Sequence, residues 1–136
     1  MDRVFLDANI LYAAAFKLTS PLRRLWELAD VELCTCEHAA GEALGNLGED
    51  RPSQLCELQR LLSSVKVRNY VGPERSVPEA IELVAKDRPI LAGAIRARAT
   101  HLLTGDKAHF GSCFGRRLGG VLILPPSDYL RSRASR

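Results

Sequence analysis

Short apolar segments of strand length alternate with amphipathic segments of helical period along most of this chain. The strand-like segments are residues 3–6, 31–35, 65–71, 101–103 and 121–124. Short apolar strands separated by helices are typical of a parallel sheet that is covered on both faces. The alternation therefore predicts an α/β fold with helices on the two sides of a central sheet.

The intervening segments have apolar residues at helical spacing. They predict helices over residues 8–16, 21–29, 37–47, 53–62, 78–85 and 89–99. Ser20 and Pro21 suit an N-cap and a first helical position, and Gly48 suits a helix end. Residues 107–114 read as irregular or as a single helical turn. Pro125 and Pro126 are expected to stop the last strand, and residues 131–136 are expected to form a frayed basic tail.

The overall composition predicts a single globular domain over residues 1–136. No apolar stretch approaches transmembrane length, and the first residues do not resemble a signal peptide, so we expect a cytoplasmic protein. The four cysteines lack the spacing of a zinc site and are expected to be free thiols. Fifteen of the 19 basic residues are Arg, a side chain that suits phosphate contacts, although most of these are expected to be ordinary surface residues.

Four acidic residues lie at the edges of apolar segments: Asp7, Glu42, Asp87 and Asp106. Asp7 and Asp106 follow predicted strands, and ligands of parallel sheets bind at the carboxyl ends of the strands. Converging carboxylates repel one another, and a hard divalent cation with oxygen ligands removes that cost. The set therefore points to metal-assisted hydrolysis of a phosphodiester.

Each carboxylate also has an ordinary structural role open to it. Asp7 and Asp87 precede helical segments and suit N-caps, Asp106 follows a glycine in a turn, and Glu42 suits a solvated helix face. Considered one at a time, each position favours a structural role. Considered together, the four positions at strand and helix ends favour a shared functional site.

Three segments of the chain resemble the motifs of the PIN domain, a small α/β nuclease fold. VFLDANILYAAA resembles the opening motif with Asp7, EALGNL the helical motif with Glu42, and KDRPILAGAIRARATHLLTGDKAHF the closing block with Asp87 and Asp106. The resemblance covers nearly the whole chain, and its strength lies in the order and spacing of the motifs. The chain is similar to stand-alone prokaryotic PIN proteins, many of which are ribonuclease toxins of VapC-like toxin–antitoxin pairs.

The resemblance implies a three-layer α/β/α domain and an endoribonuclease that uses Mg²⁺ or Mn²⁺. Asp7, Glu42, Asp87 and Asp106 are then the catalytic and metal-binding residues, with RNA as the substrate. An antitoxin protein and a second copy of the chain are the expected partners, through apolar faces of helices 21–29 and 53–62, and no membrane is expected.

Three neighbouring residues are expected to support the carboxylates. Thr104 matches a hydroxyl position that orients the site in the family, or else is a strand-end turn residue. Asn9 is expected to hydrogen-bond Asp7 or a metal-bound water, or else merely to lie in the first helical turn. Asn46 is expected to orient or bound the pocket, not to bind the metal. Lys107 and His109 lie close enough in sequence to touch phosphate, although His109 is more often a turn residue in such a context.

Three other functions fit parts of the pattern. A metal-dependent phosphatase needs a D-x-D-like motif, and residue 9 is Asn. A receiver domain needs paired acids near its start and a late Lys, but Asp2 precedes the predicted first strand. A non-catalytic PIN protein for RNA binding or assembly is favoured by loss of acidic residues, and all four are present.

Overall fold

A computed structural model describes residues 1–70 and 88–134 of the chain. Its strands are β1 (Asp2–Leu6), β2 (Val31–Cys36), β3 (Lys66–Arg68), β4 (His101–Leu103), β5 (Arg117–Leu118) and β6 (Val121–Leu124). Its α-helices are α1 (Ala8–Phe16), α2 (Glu37–Asp50), α3 (Leu55–Leu62), α4 (Arg88–Arg96), α5 (Lys107–Phe110) and α6 (Pro126–Ala134). Short 3₁₀ helices cover Pro21–Glu27, Pro52–Gln54 and Gly111–Cys113.

The described strands form one sheet in the order β3-β2-β1-β4-β6-β5. All neighbouring pairs are parallel except β5 and β6, which are antiparallel. The predicted mostly parallel sheet in a three-layer α/β/α arrangement is thus confirmed. In the centre, Leu6 at the end of β1 pairs with Leu103 at the end of β4. The residues that follow these two strands therefore emerge side by side at one edge of the sheet.

Aliphatic and aromatic side chains from both faces of the sheet form the core. Val4, Phe5 and Leu6 of β1 are fully buried, and so is Leu102 of β4. Gly93 of α4 lies against β1, since a Cβ placed there would come within 3.3 Å of the Phe5 ring. The small residue allows α4 to approach the central strand closely.

Two predicted helices differ from the expectation, one in its type and the other in where it ends. Residues 21–27 form a 3₁₀ helix, not an α-helix, although Ser20 caps it by accepting from the Leu22 amide at 3.4 Å. Helix α2 continues through Gly48 to Asp50, because Leu47 is buried in the core and holds the last turns against it. Tertiary packing here overrides the weak tendency of glycine to end a helix.

The prediction of a frayed tail was wrong for residues 131–134. Residues 126–134 form helix α6, which suits a proline at its first position. Tyr129 of this helix is fully buried, and its hydroxyl donates to Asp2 Oδ2 at 2.7 Å. Arg133, expected in a frayed tail, pairs with Asp2 at 3.6 Å and also with Asp30. Buried packing and ion pairs hold this helix to the beginning of the chain.

Other differences from the sequence analysis concern the bounds and number of the strands. The strand predicted over residues 65–71 is shorter, and strand β5 was not predicted; Gly119 and Gly120 turn the chain between β5 and β6 with positive φ angles. The helix predicted over residues 78–85 lies outside the described residues. None of the described helices combines the length and apolar character that a membrane span needs.

The helices proposed as pairing surfaces turn their apolar residues inward. Leu25, Leu58 and Leu61 are buried, and the Trp26 indole donates to the Leu61 carbonyl at 3.0 Å. Part of the apolar surface on which that prediction rested is therefore used within the chain, whereas Leu22, Leu28, Leu55 and Leu62 are only partly buried. Pairing with a second copy or an antitoxin stays a prediction.

Candidate active site

Asp7 lies directly after β1, at the point where the sheet meets helix α1. Its backbone amide donates to the Leu103 carbonyl at 3.1 Å, which extends the pairing of β1 with β4 by one residue. Its Oδ1 accepts from the Ala8 amide at 2.7 Å, so Asp7 also caps α1. The side chain is almost fully buried, at 6% exposure. Asp7 therefore has the predicted capping role and faces a cleft as well.

Thr104 connects the ends of the two central strands. Its buried hydroxyl donates to Asp7 Oδ2 at 2.9 Å and accepts from the Asp106 amide at 3.1 Å. The same oxygen accepts from Asn9 Nδ2 at 3.2 Å. A hydroxyl has one donor and two acceptor positions, so these three bonds use all of them.

Asn9 closes this network from the first turn of α1. Its Nδ2 donates to Asp7 Oδ2 at 3.2 Å, and its Oδ1 accepts from the Gly105 amide at 2.9 Å. Asp7 Oδ2 thus accepts from both Asn9 and Thr104, which fixes the orientation of the carboxylate.

Asp106 lies at the beginning of helix α5, where it is the N-cap residue. Its Oδ1 accepts from the His109 amide at 3.2 Å, and its Oδ2 lies 2.8 Å from His109 Nδ1. His109 is therefore an orienting partner of this carboxylate, a role that the sequence did not single out.

The other wall of the cleft comes from one face of helix α2. Glu42, Asn46 and Asp50 follow one another at a spacing of four residues and therefore point the same way. They line a cleft of about 290 Å³ together with Asp7, Ala8, Asn9, Tyr12 and Asp106. The cleft lies at the carboxyl ends of the parallel strands, as expected for this class of sheet.

Tyr12 and Asp50 are two cleft residues that the sequence analysis did not identify. The Tyr12 hydroxyl donates to Asp50 Oδ2 at 2.6 Å, and this bond raises the pKa of the tyrosine. Asp50 lies on the same helix face as Glu42, eight residues along. Because the helix was predicted to end at Gly48, the sequence analysis did not include Asp50 among the candidate carboxylates.

Comparison with solved structures identifies the fold. A chain of the VapBC2 structure from Rickettsia felis, bound to a DNA fragment from their promoter, matches with a TM-score of 0.68 and 15% identity, over 90% of this chain and 98% of that one. VapC20 of Mycobacterium tuberculosis, a Sarcin-Ricin loop cleaving toxin, matches with a TM-score of 0.57 and 16% identity, over 77% of this chain and 92% of that one. A chain of the VapBC-1 structure from nontypeable Haemophilus influenzae matches with a TM-score of 0.60 and 13% identity, over 92% of this chain and 98% of that one. This chain has the PIN-domain fold. No family model and no curated protein matches the sequence.

Within this PIN fold, three of the four predicted carboxylates line one cleft: Asp7, Glu42 and Asp106. Asn9 and Asn46 line it too. Thr104 is not a lining residue but is buried and donates to the Asp7 carboxylate. Asp87, the remaining predicted ligand, lies outside the described residues. The catalytic and metal-binding roles of all these residues stay predictions.

The donor atoms of this PIN cleft are carboxylate and amide oxygens, the ligands that Mg²⁺ and related hard cations prefer. Residues 1–70 and 88–134 contain no group of three Asp, Glu, His or Cys side chains close enough to hold a metal ion. By donor type the cleft fits a hydrated divalent cation, for which Mg²⁺ typically uses only one or two carboxylates directly.

Proposed function

We propose that this chain is a metal-dependent endoribonuclease and acts as the toxin of a type II toxin–antitoxin pair. One observation carries the proposal. Thr104 links Asp7 to Asp106 through hydrogen bonds at the carboxyl ends of adjacent parallel strands, and the two carboxylates share a cleft with Glu42. Hydrogen bonds that orient acidic side chains around an open cleft are a common feature of metal sites.

Asp7 and Asp106 are proposed to bind Mg²⁺ or Mn²⁺ directly or through water. Asp87 is proposed as a nearby ligand, and Glu42 as a contact to a bound water or a second ion. A bound cation would lower the pKa of the attacking water and stabilise charge on the phosphate.

The remaining residues hold this arrangement in place. Asp7 Oδ1 is occupied by the Ala8 amide, and Oδ2 accepts from Thr104 and Asn9. These three hydrogen bonds fix the orientation of the carboxylate that is proposed as a ligand. Asn46 is proposed to bound the pocket on the side of helix α2.

The solved structures with this fold support the choice of substrate and partner. VapC20 cleaves the Sarcin-Ricin loop, and two of the three solved structures named above are of VapBC proteins. We therefore propose RNA as the substrate of this chain, an antitoxin and a second copy of the chain as its partners, and the cytoplasm as its location. The 19 basic residues, against 16 acidic ones, are compatible with a polyanionic substrate.

The proposal is tested by cleavage of single-stranded RNA by the purified protein with Mn²⁺, with Mg²⁺ and with EDTA. Cleavage is expected only with metal, and Asp7→Asn is expected to lower its rate by about two orders of magnitude or more, because it removes a ligand charge while keeping the shape. Asp128→Asn is the matched control, because Asp128 is an acidic residue of α6 outside the cleft. Wild-type cleavage by Asp7→Asn, or cleavage in EDTA, would contradict the proposed function.

A further inference from the structure

The two sides of the acidic cleft carry opposite charge. Helix α2, which forms one wall of the cleft, contains four acidic residues and no Lys or Arg. On the other side, residues 107–127 follow directly on Asp106 and contain Lys107, Arg116 and Arg117 but no Asp or Glu. We call these three basic residues the basic edge. A polyanion is repelled by the side of α2 and attracted by the basic edge.

The sheet topology places Arg116 at the same edge of the sheet as the cleft. Strands β1, β4 and β6 are parallel, so their carboxyl ends share one edge. Strand β5 is antiparallel to β6, so the chain enters β5 from that edge. The Gly115 amide donates to the Ile123 carbonyl at 2.8 Å, and the Ile123 amide donates to the Arg116 carbonyl at 3.1 Å. Arg116 therefore lies beside the last residues of β6.

The strand order β1-β4-β6-β5 sets the distances along this edge. Asp7 follows β1, Asp106 and Lys107 come shortly after β4, and Arg116 directly precedes β5. Neighbouring strands lie about 4.8 Å apart, so Arg116 is about 14 Å, or three strand spacings, from the strand that precedes Asp7. A nucleic acid strand spans this distance with a few nucleotides. One phosphate in the cleft therefore leaves others within reach of the basic edge.

The basic edge is available for such contacts. Lys107, Arg116 and Arg117 are all exposed, and no carboxylate within residues 1–70 and 88–134 forms an ion pair with them. Several other basic side chains are paired with carboxylates: Arg3, Arg23, Arg60, Lys66, Arg131 and Arg133. The charge of the basic edge is thus not neutralised by these pairs.

From this asymmetry we propose that the RNA strand leaves the cleft across β6 and β5, and that Lys107 and Arg116 bind phosphates on that side of the cleaved bond. Contacts of Lys and Arg with phosphates supply affinity without reading sequence. The acidic wall of α2 holds no phosphate, so the strand is held on one side of the cleft only. The inference rests on the proposed function, whose substrate it orients.

The test is the binding of a fluorescein-labelled uridine decamer in Mn²⁺, which keeps the cleft able to hold a phosphate. All proteins carry Glu42→Gln, which retains Asp7 and Asp106 and is expected to block cleavage. Kd is measured by anisotropy over a KCl series, and gel electrophoresis checks that the strand is intact. If the strand is cut in this background, initial rates are measured instead, and the substitutions described next are expected to raise KM and not kcat.

The double substitution Lys107→Gln, Arg116→Gln is expected to raise Kd and to lower the slope of log Kd against log salt by about 1.4, because each phosphate contact of a single strand contributes about 0.7. Lys107→Arg with Arg116→Lys keeps both charges and is expected to keep the slope, which separates lost charge from misfolding. An unchanged slope and Kd in the Gln double variant, the result if the edge instead meets an acidic protein segment, overturns the inference.

Arg98→Gln is the matched control. Arg98 is exposed and precedes β4 at the opposite edge of the sheet, where the Thr100 amide donates to the Arg3 carbonyl at 2.8 Å. Arg98→Gln is expected to leave the slope unchanged, and a fall of about 0.7 would overturn the inference, since any lost positive charge would then have the same effect. Binding that depends on the basic edge, without metal-dependent cleavage by the wild-type protein, contradicts the proposed nuclease instead.

Discussion

The Thr104 hydroxyl donates to Asp7 Oδ2 at 2.9 Å, although 97 residues separate the two in the chain. The bond joins the ends of β1 and β4, and the same hydroxyl accepts from the Asp106 amide. One threonine side chain therefore bonds both the Asp7 carboxylate and the backbone that carries Asp106.

Thr104→Val is expected to damage both the site and the fold. The substitution keeps the shape but removes the donor to the buried Asp7 Oδ2 and the acceptor of the part-buried Asp106 amide, at a cost of about 1–3 kcal/mol for a buried group that loses its partner. Loss of an orienting partner typically lowers metal affinity or activity about 10- to 100-fold. Urea unfolding and RNA cleavage rates measure the two effects. Thr104→Ser retains the hydroxyl and is expected to keep most of the activity; equal losses in Ser and Val variants would contradict the orienting role.

Mn²⁺ is expected to raise the melting temperature of the wild-type protein. A ligand that binds only the native state adds about 2.7 kcal/mol at a hundred times its Kd. The double variant Asp7→Asn, Asp106→Asn is expected to lose the shift, whereas Asp128→Asn keeps it. Thermal melts over a Mn²⁺ series measure this, and a full shift in the double variant would place the metal elsewhere.

Glu57 is expected to stabilise the fold in a pH-dependent manner. Its carboxylate accepts from Arg60 and Arg23, and these bonds lower its pKa from 4.5 to about 2. Because the folded-state pKa is the lower one, the stabilisation is fully present above about pH 4.5 and is lost as the pH falls toward 2. The melting temperature of Glu57→Gln is expected to lie below that of wild type at pH 6 and to approach it at pH 2.5. A difference that does not change with pH would show that the ion pairs contribute little.

Tyr129 is expected to anchor helix α6 through both its ring and its hydroxyl. Tyr129→Phe removes the bond to Asp2 and is expected to cost about 1 kcal/mol, whereas Tyr129→Ala also leaves a cavity and is expected to cost about 3–5 kcal/mol. Chemical denaturation of the two variants gives both values. Similar stabilities for Tyr129→Ala and wild type would mean that α6 is not docked on the sheet.

The sequence predicted most of what depends on local pattern. Helix 8–16 and strands 101–103 and 121–124 have the predicted bounds, because apolar runs and N-cap residues mark them directly. The bonds from Thr104 and Asn9 to Asp7 also agree with the orienting roles expected for those residues.

The errors came from contacts that are distant in sequence. Gly48 did not end α2, because burial of Leu47 holds the last turns, and this brought Asp50 into the cleft unpredicted. Helix α6 was missed because what holds it, the bonds of Tyr129 and Arg133 to Asp2, links opposite ends of the chain. Local composition does not reveal such partners.

The pairing of β1 with β4 has a consequence for how the protein is made. Val4 of β1 pairs on one side with Leu33 of β2, 29 residues later in the chain, and on the other side with His101 of β4, 97 residues later. Contacts of such long sequence separation form slowly, and a domain completes its fold only when its last elements are available. A nascent chain on the ribosome therefore contains Asp7 long before residues 104–106 emerge, and the part of the cleft between β1 and β4 is not assembled until they do.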